Sequence, residues 1–240
     1  MEEFVFLAGK RAVWEALTAK NYIEEILFQR GKDRGLRALL DLASQQRIKL
    51  KEVELGVINS LYDGVHQGVL ARMPGFKYAV LDDVLLSMES CSGFLMILDH
   101  LTDPHNLGAI IRTAAAFGAA GVVIPRDRSA KVTATVLKVA SGGCEYVPVV
   151  MVRNIADTVG KLRALGVWVY ATGFGGEDLF KVSFAKRVAI VVGAEGKGVS
   201  RLVAERSDSL LTIPMPGNAL SFNVSVASGI IMGELTRQKT

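Results

Sequence analysis

From Gly93 onward, short apolar runs alternate with segments of helical periodicity, and this alternation constrains the fold more than any other feature of the chain. The runs are apolar at consecutive positions, as expected for strands covered on both faces in a parallel sheet. The predicted strands are Phe94–Leu98, Gly121–Ile124, Val167–Ala171, Val188–Val192 and Leu210–Ile213. The predicted helices are Leu107–Phe117, Thr133–Ala140, Ile155–Leu165 and Ser200–Glu205, with Gly118 and Gly166 where C-terminal caps belong. This part of the chain is therefore predicted to be an α/β domain with a mostly parallel sheet.

A smaller α/β unit is predicted for residues 1–74. Its predicted helices are Arg11–Thr18, Leu36–Gln45 and Val57–Tyr62, and its predicted strands are Ile23–Phe28 and Ile48–Val53. The apolar segment Val69–Ala71 follows them. Residues 75–91 lack strong strand character and precede the apolar run at Phe94, so the interdomain linker is placed there. Residues 92–240 are assigned to the second domain.

Composition narrows the class of protein. The 28 basic and 24 acidic residues give a formal net charge of +4, which permits a polyanionic partner without identifying one. Cys91 and Cys144 show no CxxC or Cys/His spacing, so neither a disulfide framework nor a zinc site is expected. The chain opens Met1-Glu2-Glu3, with no basic segment and apolar run of an export signal, and a cytoplasmic location is expected.

One stretch could be mistaken for a membrane span. Residues 209–233 contain no charged side chain and are long enough to cross a bilayer. However, Pro214, Pro216 and Gly217, together with several Asn and Ser residues, would leave backbone groups unsatisfied in lipid. We therefore expect buried strand, loop and helix here, and no membrane segment.

Polar residues gather in three loops that follow predicted strands, where open α/β sheets bind their ligands. The loop after Phe94–Leu98 leads into a helix that carries Arg112, and Asn106 is expected to cap that helix. The loop after Val188–Val192 places Glu195 among three glycines. The loop after Leu210–Ile213 ends with Ser221 and Asn223 at the start of the last helix.

Each of these residues also has an ordinary structural explanation. Arg112 is compatible with a solvated helix arginine, Glu195 with a turn-stabilising carboxylate, and Ser221 and Asn223 with helix capping. His100 and His105 flank Asp103, but no third ligand stands at a suitable spacing, so no metal site is expected. The glycine loop matches neither a Walker sequence nor the GxGxxG fingerprint.

Taken together, the three loops resemble the three motifs of the SpoU (TrmH) branch of SPOUT methyltransferases. The matching segments are Asn106–Ala114, Gly193–Gly196, Ile213–Met215 and Ser221–Ala227. Ala8–Val13 and His66–Val69 look like the substrate-binding domain of bacterial 23S ribosomal RNA guanosine 2′-O-methyltransferases, so the resemblance covers nearly the whole chain. Phe222 is a departure, because close relatives often carry leucine there.

The resemblance implies a deep trefoil knot in the C-terminal domain, S-adenosylmethionine as the cofactor, and a homodimer as the active unit. The cofactor-binding residues implied by motif match are Thr172, Gly173, Gly193, Ile213, Met215 and Phe222. The implied catalytic residues are Asn106, Arg112, Glu195, Ser221 and Asn223. The implied reaction is methyl transfer to a ribose 2′-hydroxyl of structured RNA, with a guanosine of 23S rRNA as the expected target and tRNA as the alternative.

The implied reaction requires that the 2′-hydroxyl be positioned and lose its proton. A guanidinium group stays protonated at neutral pH, which makes it a poor proton acceptor. We therefore expect Arg112 to bind the target phosphate and stabilise the developing alkoxide, with Glu195 and Asn106 positioning it. The identity of the general base stays open.

The RNA itself is expected to be held by the amino-terminal domain and by basic side chains that contact phosphates. Two basic stretches are candidates for this contact: Arg30, Lys32, Arg34 and Arg37, and Arg126, Arg128 and Lys131.

Two rival classes of protein are disfavoured. A non-catalytic RNA-binding or ribosome-assembly protein on the same scaffold would be expected to lose the arginine or the Ser/Asn motif, and both are retained. A Rossmann-type oxidoreductase would need a glycine fingerprint after the first strand of the second domain, where Asp103-Pro104-His105-Asn106 stands instead.

Overall fold

The computed structural model describes residues 4–18, 21–31, 34–90, 93–194, 196, 198–217 and 221–239. The chain divides into two compact units, Met1–Lys77 and Tyr78–Thr240.

The first unit is an α/β layer with helices on both faces of a mixed sheet. Its strands are β1 (Phe4–Ala8), β2 (Glu25–Phe28), β3 (Lys49–Glu52) and β4 (Val69–Pro74), and its helices are α1 (Lys10–Thr18), α2 (Arg34–Gln45) and α3 (Leu55–Leu61). The sheet order is β1-β4-β2-β3, in which β4 is antiparallel to both neighbours and β2 is parallel to β3. Ile26 packs against α1 and α2 while Leu27 packs against Ile58 of α3, as the alternation of side chains along a strand requires.

The second unit is built on a parallel sheet, as the apolar runs predict. Its strands are β5 (Phe94–Asp99), β6 (Gly121–Pro125), β7 (Val149–Val152), β8 (Trp168–Asp178), β9 (Val188–Gly193) and β10 (Ser209–Thr212). Its helices are α4 (Leu81–Ser90), α5 (Pro104–Ala116), α6 (Ala134–Ala140), α7 (Ile155–Ala164), α8 (Arg201–Arg206) and α9 (Val224–Lys239), with a 3-10 turn at Gly143–Glu145. The strand order is β10-β8-β9-β5-β6-β7, and every pairing is parallel.

Helices cover both faces of this sheet. One face packs against α4, α7 and α8 through a cluster that contains Leu95 and Ile97 of β5 but no residue of α5 or α9. Because side chains alternate along a strand, Met96 and Leu98 point to the other face, where α5 contacts α6 and α9. The sheet is thus buried on both sides, which explains why its strands are apolar at consecutive positions.

The stretch 75–91, where the sequence placed the linker, contains helix α4. Val84, Leu85 and Met88 of this helix are buried in the core of the second unit. Asp82 and Asp83 lie in its first turn, where carboxylates interact favourably with the helix dipole.

Membrane-spanning helices and metal clusters are both absent from the part of the chain that the structure describes. No helix among the described residues is both long and apolar enough to span a membrane. No group of three or more His, Cys, Asp or Glu side chains within the described ranges is placed to hold a metal ion.

Candidate active site

The sheet order brings three of the predicted segments to one edge. Strands β10, β8 and β9 are neighbours, and their register sets Ala171 beside both Val191 and Leu210. Thr172 and Gly173 follow Ala171, Gly193 ends β9, and Ile213 follows β10. Because these residues lie one to three positions beyond the paired Ala171, Val191 and Leu210, the candidate cofactor residues lie close together at this edge.

Thr172 and Gly173 belong to a five-residue bulge in β8. Ala171 pairs with Leu210, whereas the next residue of β10 pairs with Glu177, so residues 172–176 project from the ladder. Thr212 holds the bulge closed, since its Oγ1 donates to the Gly173 carbonyl at 2.7 Å and accepts from the Gly176 N–H at 2.8 Å. The glycine-rich segment 173–176 is therefore an ordered backbone feature at the edge of the sheet.

The glycine loop after β9 is a tight turn that only small residues permit. A Cβ on Gly193 would lie 1.9 Å from the backbone carbon of Gly198. The Gly198 N–H donates to the Ala194 carbonyl at 2.9 Å, and Gly196 and Gly198 both have positive φ angles. Glu195, the predicted catalytic acid of this loop, lies outside the described residues.

Helix α5 begins three residues earlier than the sequence predicted. Asp103 is its N-cap, accepting from the N–H of His105 at 3.0 Å and of Asn106 at 3.2 Å, and Pro104 opens the first turn. The expectation that Asn106 caps this helix is wrong, because Asp at the N-cap followed by Pro is a stronger start signal. Asn106 instead lies inside the first turn, where its side chain is available for contacts outside the helix.

That side chain joins the first motif to the third. Nδ2 of Asn223 donates to Oδ1 of Asn106 at 3.1 Å, across 117 positions of sequence. Oδ1 of Asn223 accepts from the backbone N–H of Ser225 at 3.0 Å and from its hydroxyl at 2.6 Å, so Asn223 also caps α9. Asn106 is 9% exposed, and its amide oxygen therefore gains a partner that water does not readily supply.

Helices α5 and α9 run side by side in the same direction from this contact. A Cβ on Gly229 would lie 3.8 Å from Thr113, and one on Gly233 would lie 3.7 Å from Phe117. Both pairs advance by four residues, so the helices stay parallel and close through the two glycines. This packing sets the starts of both helices together at the carboxyl edge of the sheet.

Arg112 and Ser221 complete the part of the predicted catalytic set that is described. Arg112 lies six residues after Asn106 on α5, about 9 Å further along the helix axis. Its side chain is exposed and forms no ion pair with any described residue. Ser221 is exposed two residues before Asn223. The structure thus joins Asn106 to Asn223 directly and leaves the Arg112 guanidinium open to solvent.

Two residues at this edge were not singled out from the sequence. Thr212 carries no signal beyond its place at a strand end, yet it fixes the β8 bulge. Asp99 is 1% exposed and ends β5; it accepts from the Ser200 N–H at 2.7 Å and from His100 Nδ1 at 2.6 Å. An acid that closes a wholly apolar run was the available signal for Asp99.

The chemistry of the predicted cofactor residues suits a neutral or cationic nucleoside derivative. Thr172, Gly193, Ile213 and Met215 are partly buried, and Phe222 is 39% exposed. Segments 172–176, 213–217 and 221–223 contain no lysine or arginine, so no basic side chain of these segments would repel a sulfonium. Backbone groups of the bulge and the glycine loop supply donors and acceptors for a base and a ribose. These residues fit S-adenosylmethionine.

Comparison with known proteins gives matches over both units. The model of the SpoU rRNA Methylase family matches residues 93–233, and the model described as RNA 2′-O ribose methyltransferase substrate binding matches residues 6–79. YacO of Bacillus subtilis (strain 168), assigned to the TrmH family of tRNA/rRNA methyltransferases, is 38% identical over 238 residues, covering 98% of this chain and 96% of that protein.

Two solved structures are also similar to this chain. An AdoMet-bound rRNA methyltransferase from Sinorhizobium meliloti is similar with a TM-score of 0.63 at 25% identity, covering 99% of this chain and 88% of that chain. The TrmH/SpoU tRNA modifying enzyme of A. aeolicus is similar with a TM-score of 0.56 at 29% identity, covering 67% and 84%. The chain belongs to the SpoU (TrmH-like) family of RNA methylases.

Proposed function

We propose that this chain transfers the methyl group of S-adenosylmethionine to a ribose 2′-hydroxyl of structured RNA, with a guanosine of 23S rRNA as the substrate. The family supports RNA methylation. The match of residues 6–79 to a 2′-O ribose methyltransferase substrate-binding model supports the ribose as the acceptor. The methyl donor is supported by the S. meliloti relative, which was crystallised with AdoMet bound.

The observation that carries the proposal is the hydrogen bond between Asn223 and Asn106. It ties the start of α9, which follows the Ile213–Met215 segment, to the first turn of the helix that bears Arg112. A methyl transfer in which oxygen attacks carbon in line requires donor and acceptor to be held in one geometry. The contact fixes the two sequence segments that would hold those two reactants.

The proposed donor site is formed by Thr172, Gly173, Gly193, Ile213, Met215 and Phe222. When bound, S-adenosylmethionine would supply an electrophilic methyl group on a sulfonium. The chain would contribute backbone hydrogen bonds from the β8 bulge and the glycine loop, and apolar contacts from Ile213, Met215 and Phe222. Thr212 acts on this site indirectly, because it holds the bulge in place.

The proposed acceptor side is formed by Arg112, Asn106, Asn223, Ser221 and Glu195. An exposed guanidinium without an ion pair among the described residues can bind a phosphate bidentately and stabilise charge that develops on the 2′-oxygen. Asn106 and Asn223 position the helix starts around it. Glu195 is proposed to orient Arg112, and the group that takes the proton is left open.

The first unit is proposed to hold the RNA. Its two sequence motifs meet in the structure: Gln67 Oε1 accepts from the Lys10 N–H at 3.2 Å, at the start of α1. His66 Nδ1 accepts from the Gly68 N–H at 3.0 Å, so its Nε2 carries the proton and donates to Asn59 Oδ1 at 2.8 Å. Arg30, Arg34 and Arg37 are the described members of the first basic stretch, and Lys32 lies outside the described residues.

A homodimer is part of the same proposal. Phe174 of the bulge and Phe222 and Val226 at the start of α9 are 73%, 39% and 50% exposed. Apolar side chains of this kind beside a site are expected to be covered by a partner surface. Light scattering coupled to size-exclusion chromatography should give twice the chain mass. The knot and the cytoplasmic location stay predictions.

The catalytic assignment is tested with Arg112→Ala. Turnover with radiolabelled S-adenosylmethionine should fall at least about 100-fold, because a donor to developing charge is removed. Calorimetry should show donor binding unchanged. The charge-matched control is Arg201→Ala, which removes an exposed arginine paired with Glu205 at 3.0 Å and should stay active. An active Arg112→Ala enzyme would refute the assignment.

The substrate is tested by mapping ribose methylation in ribosomal and transfer RNA from cells that lack this protein. Loss of one 2′-O-methylguanosine from 23S rRNA, restored in vitro by the purified chain, is the expected result. Loss from tRNA alone would favour the tRNA substrate, which the similarity to the A. aeolicus tRNA modifying enzyme makes the second candidate. Loss from neither RNA would contradict the proposal.

A further inference from the structure

A second cleft lies at the carboxyl edge of the same sheet, away from the Asn106–Asn223 contact. Its volume is about 680 Å³, and it is lined by residues that follow β5, β6, β7 and β9. Ala194 and Gly198 of the glycine loop form part of its wall, but none of the individually predicted catalytic or cofactor-binding residues that are described lines it. Asp99 of this cleft lies two residues after Ile97, so it points to the side of α7 and α8, whereas Asn106 and Asn223 belong to α5 and α9.

The cleft carries two arginines that no ion pair neutralises within the described part of the chain. Arg128 follows β6 and Arg153 follows β7; both are exposed and line the cleft. Asp127 is the acid beside them. Asp99 is engaged by His100 and by the Ser200 N–H, so it does not compete for the arginines. Among the described residues that line it, the cleft therefore offers two guanidinium groups against one exposed carboxylate.

The first turn of α7 adds backbone donors. Ile155 and Ala156 line the cleft, and the N–H groups of a first helical turn have no carbonyl partner within the helix. Asn154 caps only the N–H of Asp157, at 3.2 Å. The carboxylate of Asp157 is held by Arg206 at 2.7 Å. Guanidinium groups and a helix N-terminus that face one cavity match the charge and geometry of a phosphate.

Two of the five described non-glycine residues with positive φ line this cleft. His100 and Arg128 have φ angles of 60° and 53°, in the left-handed region that side chains other than glycine rarely adopt. Strain of this kind persists where surrounding structure enforces it and is frequent at binding sites. Nδ1 of His100 donates to Asp99, which turns its Nε2 away from that carboxylate.

We propose that this cleft binds a phosphate ester through Arg128, Arg153 and the N-terminus of α7. RNA and free nucleotides both carry such a group. Given the proposed function, on which this assignment of the ligand rests, the RNA backbone next to the modified nucleotide is the expected source. The cleft would then extend the RNA path from the active site along the carboxyl edge of the sheet.

The test uses the full chain and the variant R128A/R153A, with poly(U) as a sequence-independent probe and fluorescence anisotropy as the readout. At low salt the variant should bind poly(U) at least about tenfold more weakly. The slope of log K against log salt is negative, and its magnitude should fall by about 0.7 for each phosphate that the variant no longer neutralises. Arg153→Glu should weaken binding further, and circular dichroism should show that each variant is folded.

The control is K161A/K181A, which removes the same charge from lysines already paired with Asp82 and Asp178. A second arm titrates guanosine 5′-monophosphate into the same proteins. Loss of nucleotide binding in R128A/R153A with an unchanged poly(U) slope would assign the cleft to a free nucleotide. A variant that matches the control in both arms would overturn the proposal.

The experiment separates this inference from the proposed function. Donor binding should be unchanged in R128A/R153A, because no residue altered there belongs to the donor site. A chain that never methylates RNA but whose poly(U) slope falls in this variant would contradict the proposed function alone. A chain that methylates RNA with an unchanged slope and unchanged nucleotide binding would contradict the cleft alone.

Discussion

The contact between Asn223 and Asn106 should be measurable as an energy shared by the two residues. Asn223→Ala removes the cap of α9, worth about 1 kcal/mol, and the donor to Asn106, worth about another 1 kcal/mol. The free energy of unfolding should therefore fall by about 2 kcal/mol. Asn223→Ser keeps a capping hydroxyl but cannot reach Asn106, so it should cost only about 1 kcal/mol.

A double-mutant cycle with Asn106→Ala isolates the shared energy, which should be about 1 kcal/mol. Urea unfolding followed by Trp168 fluorescence in a Trp14→Phe background reports on the second unit, where both asparagines lie. Asn154→Ala is the matched control. Asn154 caps α7 by accepting from the Asp157 N–H at 3.2 Å and does not contact Asn106, so this variant should show no coupling with Asn106→Ala. A coupling energy within about 0.3 kcal/mol of zero would refute the view that this bond joins the two motifs.

Substitutions at Glu234, at two glycines and at Thr212 give further expected outcomes. A hydrogen bond from Arg237 lowers the pKa of Glu234 from 4.5 to about 2, so Glu234→Gln should lower stability by about 1–2 kcal/mol at pH 7. The stability from this depressed pKa is present above pH 4.5 and is lost as the pH falls toward 2, so the difference between the proteins should shrink there in acid unfolding. Gly193→Ala should abolish donor binding in calorimetry because its Cβ would meet backbone, whereas Gly160→Ala, with open space around it in α7, should raise stability by about 0.5–1 kcal/mol. Thr212→Val should raise the Kd for the donor about tenfold and lower the free energy of unfolding by about 1–2 kcal/mol, since it removes both bonds that close the β8 bulge.

The strands of the second unit could be predicted because their burial leaves a direct mark on the sequence. A strand that is covered on both faces must be apolar at consecutive positions, and the runs at Phe94–Leu98 and Val188–Val192 lie inside β5 and β9. The glycines at 118 and 166 were also correctly placed, with φ angles of 67° and 73° just after α5 and α7.

The elements that were not predicted either lack a clear sequence pattern or carry one that also fits another structure. Pro148 directly precedes strand β7, and a proline within an apolar run argues against a strand, so Val149–Val152 was not predicted as one. Strand β1 is only partly buried along its length. Helix α4 had both an apolar face and acidic residues in its first turn, but its position between two domains favoured a linker.

At the candidate site, too, the sequence predicted individual residues but not the contacts between residues that are distant in sequence. The motifs name the residues, but nothing local to Asn106 or Asn223 reveals that they bond, because their contact depends on how α9 returns to α5. The sequence allows Asn106 either to cap the helix or to lie inside it. Asp103-Pro104 starts the helix earlier, so Asn106 lies inside it.

The third motif is fixed to the rest of the unit at two points. Directly before the motif, Thr212 bonds the β8 bulge, and within the motif, Asn223 bonds Asn106. Helix α9 is fixed at its far end as well, because Gln238 accepts from the Phe184 N–H at 3.1 Å and Lys239 donates to the Gly93 carbonyl at 2.9 Å. A segment held in this way retains the geometry that methyl transfer needs without ordering it anew at each turnover. Substitutions at the end of α9 should therefore alter donor affinity as well as stability, although they lie a full helix length from Asn223.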